Sequence, residues 1–117
     1  MNVDDFKAGA EALHEAARYD QDVTVHDLYQ AGSYFTEALH ALSSLASQAD
    51  EQVELLPQQF ILHTDDGQPT DEHVRAAIVH LTELRSLLQR AGESASRYHA
   101  AVGHLGVAVD PDAKPGD

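Results

Sequence analysis

Cysteine and tryptophan are both absent from the 117 residues. The first absence excludes disulfides, thiolate zinc sites and a cysteine nucleophile, and it makes a reducing, cytoplasmic setting the expected one. Cations are also scarce. Lys and Arg together number 7 against 20 Asp and Glu, a formal charge of −13, and not one Lys or Arg stands between Arg18 and Arg75. Direct binding of nucleic-acid phosphate rests on clustered cations, and so does binding of an anionic membrane, so neither is expected. The N-terminus carries Asp4 and Asp5 where a secretory leader would need cations followed by an apolar run, and apolar stretches long enough to span a bilayer are missing. Neither a leader nor a membrane span is expected.

The motifs of common chemistries are missing too. The chain has no Gly-x-Ser-x-Gly elbow, no Gly-Lys-Ser/Thr phosphate loop, no Gly-x-Gly-x-x-Gly and no His-Glu-x-x-His. Asp65-Asp66-Gly67 lacks the alternating oxygen ligands and distal Glu of a calcium loop. The expectation is a protein that is not an enzyme and carries no cofactor.

What is present is helical periodicity. Val74, Ala77, Leu81, Leu84, Leu88, Ala91, Ala95, Tyr98, Val102 and Leu105 follow alternating spacings of three and four, the mark of a coiled-coil-like seam. A second seam runs through Leu28, Ala31, Phe35, Ala38, Leu42, Leu45, Ala49 and Leu56, with Gln52 as its polar break. Two long helices that bury matching stripes predict an antiparallel hairpin. A shorter helix is predicted before it, over about Val3 to Tyr19, with Val3, Phe6, Ala10, Leu13 and Ala17 on one face.

The boundaries follow from capping chemistry. Thr24 with Asp27 forms a shortened capping box for the second helix, and Pro57 should end it after Leu56. Asp66-Gly67 reads as a turn in the connection, Thr70 as the cap of the third helix, and Gly103 and Gly106 as its stop. Residues 1–106 thus form a helical-bundle domain, and residues 107–117 a flexible acidic tail rich in Pro and Gly.

The short helix can cover only half of the hairpin. It should lie beside the N-terminal half of the second helix and the C-terminal half of the third. The uncovered half is the leucine-rich one, with Leu39, Leu42, Leu45, Ile78, Leu81, Leu84, Leu87 and Leu88 as candidate interface residues. Either the segment Phe60, Ile61 and Leu62 folds over this surface, or a second copy completes a four-helix bundle. The leading expectation is a homodimeric protein-interaction or assembly module.

Two alternatives rest on other features. Asp50, Glu51, Glu54, Asp65 and Asp66 would form one exposed acidic contact if the chain were an antagonist or accessory factor of a basic nucleic-acid-binding protein. Eight histidines raise the other alternative, a metal- or pH-responsive bundle. Glu11-x-x-His14 and Glu37-x-x-His40 have the Glu-x-x-His form of di-metal bundle ligands, but the register turns Glu37 and His40 away from the seam. His73 and His80, seven residues apart, stand about 10 Å apart along a helix, too far to share one ion. No metal site is expected from these residues.

Size, acidity and a helical hairpin give the chain a loose similarity to the small hairpin substrates of type VII secretion. It lacks the Trp-x-Gly turn of that family, and Tyr98 is followed four residues later by Val102 rather than by Asp or Glu. The family is therefore not assigned from sequence.

Overall fold

In the computed structural model, which describes residues 1–108, the chain is all-helical: α1 spans Val3–Arg18, α2 Val25–Gln59 and α3 Thr70–Gly103. Each long helix measures about 50 Å at 1.5 Å per residue, and together they make the antiparallel hairpin that the two seams required. The outcome is a rod of 73 × 25 × 23 Å. Its radius of gyration is 20.8 Å, where a compact chain of this length would have about 13 Å.

Local chemistry sets most of the boundaries. The Thr24 hydroxyl accepts from the Asp27 N–H, and the Asp27 carboxylate accepts from the Thr24 N–H, both at 3.0 Å. This is the expected capping box. Asn2 caps α1 by accepting from the Asp5 N–H. In the connection, the Asp66 carboxylate accepts from the Gln68 N–H and Gly67 has φ +75, the left-handed conformation that glycine adopts without strain.

Two boundaries differ from the expectation. Pro57 lies inside α2, which continues to Gln59. Proline in a last turn removes a single helical donor, and the Phe60 N–H still closes on the Leu56 carbonyl at 2.9 Å. Thr70 is the first residue of α3 rather than its cap, because Pro69 holds the cap position and makes no side-chain bond.

The seam of α3 is as read except at two members: Leu84 is 44% exposed, next to an Arg85 whose guanidinium reaches Asp50 on α2, and Leu105 lies beyond the end of the helix and is 65% exposed. The seam of α2 is rotated by one residue. Gly32, Ala46 and Asp50 are its buried positions, flanked by half-buried Leu39 and Val53. The row that begins Gly32, Leu39, Ala46, Val53 therefore replaces the row Ala31, Ala38, Leu45, Gln52. Two long helices approach most closely where side chains are smallest, and Gly32 and Ala46 lie on the first row. Gln52 ceases to be an anomaly, since it is exposed and outside the seam.

The displaced row meets α1. Ala38 and Leu45, with Tyr34, Ala41 and Leu42, line one wall of a cleft of about 490 Å³ whose other wall is Phe6, Gly9, Ala10, Ala12 and Leu13. Among the described residues, no Cα of α1 lies within 8 Å of a Cα of α2 or α3. The first helix thus stands beside the N-terminal half of α2, as expected, but without packing on it or on α3. Its small residues do not reach across the gap, and Leu13 remains 58% exposed.

Candidate interaction surface

Burial is sparse along the rod. Among the described residues the buried apolar positions are Ala46, Ala95 and Val102, and no large side chain is fully buried. The accessible surface is 9599 Å², about one and a half times the roughly 6,200 Å² expected for a folded chain of this mass.

Two polar devices hold the hairpin in register. Near its open end, Tyr98 donates its hydroxyl proton to the Leu28 carbonyl at 3.0 Å, and His99 donates from Nδ1 to the Tyr29 carbonyl at 2.8 Å. The carbonyl can only accept, so Nδ1 of His99 carries the proton. The His99 ring also stacks on Tyr29, with centroids 4.2 Å apart. The Tyr98 and Phe35 rings meet edge to face, with centroids 6.1 Å apart. Farther along, Arg85 donates to Asp50 at 3.2 Å, and the second Asp50 oxygen is buried without a partner.

This ion pair corrects one part of the acidic reading. Asp50 is 9% exposed and faces α3, so it cannot belong to an exposed contact. Its place one residue past Ala49 becomes inward-facing when the seam rotates. Glu51, Glu54, Asp65 and Asp66 are exposed. Asp66 is also engaged locally, by the Gln68 N–H and by His73 Nε2 at 2.7 Å. Its carboxyl is held below its ordinary value, chiefly by the Gln68 N–H and secondarily by His73.

The histidines are dispersed. Glu37 and His40 are exposed, and the Glu11 carboxylate lies 4.0 Å from Lys7. His80 stands 3.7 Å from Glu83, one turn along its own helix. Among the described residues, no group of three His, Asp or Glu side chains is placed to hold a metal ion. Nor is any helix long and apolar enough to cross a membrane.

The connection does not close the leucine-rich half. Phe60 is 60% exposed and Ile61 fully so, while Leu62 is half-buried beside Val74. The candidate interface residues divide by flank of the hairpin. Leu39 and Leu88 line a groove with the polar residues Thr36, His40, Ser43, Gln89 and Glu93. Leu42 and Leu45 line the apolar cleft of α1. Ile78 and Leu81 are half-buried, and Leu84 and Leu87 are exposed at 44% and 51%. The heptad register puts these last two on the flank of α3 opposite Gln89, Gly92 and Ser96, which is the flank that Leu42 and Leu45 occupy on α2.

The flank that carries Leu42, Leu45, Leu84 and Leu87 is therefore apolar over that stretch, whereas the groove on the other flank is lined mostly by polar residues. Tyr98 was legible in the sequence only as a seam member and His99 only as one of the eight histidines, although a glycine within a long helix, Gly32, marks the close approach they exploit. Comparison with protein-family models, with curated proteins and with solved structures found no match.

Proposed function

We propose that the chain is a non-enzymatic assembly module that homodimerises through the apolar flank of its helical hairpin. The observation that carries this reading is the uncovered flank itself: Leu84 and Leu87 stand exposed, and the segment that could have covered them turns its own Phe60 and Ile61 to solvent. Burying apolar surface contributes about 25 cal/mol per Å², so an uncovered stripe along a rod this slender favours association. The surface in excess of a compact monomer is larger than the roughly 1,000–2,500 Å² per chain that an obligate interface covers. An acidic rod of defined length, closed by a second copy, is suited to holding partners apart or together.

Light scattering tests the reading. The wild-type chain at tens of micromolar is expected to have twice its 12.7 kDa mass, and the double variant Leu84→Glu, Leu87→Glu the mass of one chain with its helical content kept. A wild-type monomer would refute the proposal.

A further inference from the structure

The cleft between α1 and α2 has an unusual composition for a gap between helices. Gly9, Ala10, Ala38 and Ala41 supply small side chains along both walls, and Phe6 and Leu42 add apolar depth. No Cα of α1 comes within 8 Å of α2 among the described residues, so the walls stand apart along their whole length. Small residues facing an open slot let another helix approach closely, whereas large ones would have filled it. Among the described residues, only those of α1 and α2 line the slot.

The same chain displays the complementary shape on its other long helix. Leu84 and Leu87 project from α3 on the apolar flank, 44% and 51% exposed. By the heptad register, slot and ridge share one flank of the hairpin, which is the condition for an isologous contact in which each copy both gives and receives. A basic partner is disfavoured there, because Glu37 is the single charged residue among those lining the cleft.

Resting on the homodimer reading, we infer that the α1–α2 cleft is the receiving site for a second copy, whose α3 seats Leu84 and Leu87 between the two walls. Each α1 is then held between its own α2 and the α3 of its mate. This accounts for a helix that stands beside the hairpin without packing on it. It also assigns α1 a role in specificity, since the slot exists only where α1 runs.

The absence of cysteine allows a direct test in the full chain. Two single-cysteine variants, Ala10→Cys and Leu87→Cys, are mixed, allowed to exchange and treated with a short thiol-to-thiol cross-linker. A covalent heterodimer in high yield is expected, and Ala10→Cys mixed with Gln89→Cys, on the polar flank, should give little. Independently, Ala41→Trp fills the slot at an exposed position and should weaken association at least tenfold, with helicity retained. A wild-type dimer that gives no Ala10–Leu87 product and tolerates Ala41→Trp would overturn the cleft assignment while leaving the homodimer standing. A wild-type monomer would overturn both.

Discussion

Gly32 and His99 are in such close contact that a Cβ built on Gly32 would lie 2.7 Å from the His99 ring nitrogen and 2.9 Å from the His99 Cα. The second distance involves backbone, so no rotamer change relieves it and the two helices would have to separate. Gly32→Ala is therefore expected to destabilise the hairpin. Overpacking of this kind costs about 1–3 kcal/mol, which outweighs the gain of about 0.5–1 kcal/mol from replacing a helical glycine. Gly92→Ala makes the contrast, because a Cβ there meets nothing within 4 Å. Chemical denaturation should show the first variant less stable than wild type and the second more stable.

The Asp50–Arg85 pair should behave asymmetrically. Asp50 is nearly buried, whereas the Arg85 side chain is 44% exposed. Removing the guanidinium strands a carboxylate that already has one oxygen without a partner. Arg85→Ala is expected to cost about 1–3 kcal/mol, and the double variant Asp50→Leu, Arg85→Leu to recover most of it. A double-mutant cycle read by urea denaturation checks both, and additive single effects would argue against the coupling.

The termini of the rod should respond to acid. The Asp27 carboxyl is held below its ordinary value of 3.8, first by the Thr24 N–H and then by the Thr24 hydroxyl, and Asp66 is lowered by the Gln68 N–H and His73. A carboxyl lowered in the folded state stabilises the fold above its unfolded value, and that contribution is lost as pH falls below 3.8 through the folded value. Thermal midpoints should therefore decline in that window, and Asp27→Asn with Asp66→Asn should flatten the decline. An unchanged acid profile in the double variant would place the sensitive carboxylates elsewhere.

Ile61 and Leu81 separate a solvent-exposed connection from the seam. Ile61 is 101% exposed and Leu81 is half-buried on the α3 row. Ile61→Ser is expected to change stability by less than about 0.5 kcal/mol, and Leu81→Ala to cost about 2 kcal/mol or more. Equal losses would mean that the connection packs over the leucine-rich half after all.

Periodicity carried the all-helical hairpin and most of its ends, because a sustained three-four spacing and a Thr24–Asp27 box report on local geometry alone. The rotation of α2 was not legible. Ala38 and Gly32 look alike to a hydrophobic pattern, and only the close approach of α3 shows that the glycine row faces inward. Asp50 was misplaced for the same reason, as an aspartate beside a seam reads as solvated until the seam turns and Arg85 meets it. The separation of α1 from α2 was hidden too, because an amphipathic pattern reports that a face is apolar and not which chain covers it.

If a second copy completes the fold, as proposed, the thermal midpoint must vary with protein concentration. Binding that stabilises only the associated, folded state makes the midpoint depend on concentration. A midpoint that rises steadily from about 1 to about 100 micromolar chain is expected, with that rise lost in Leu84→Glu, Leu87→Glu. A wild-type midpoint constant over that range would contradict the proposal, showing that the hairpin stands as a monomer with its apolar flank uncovered.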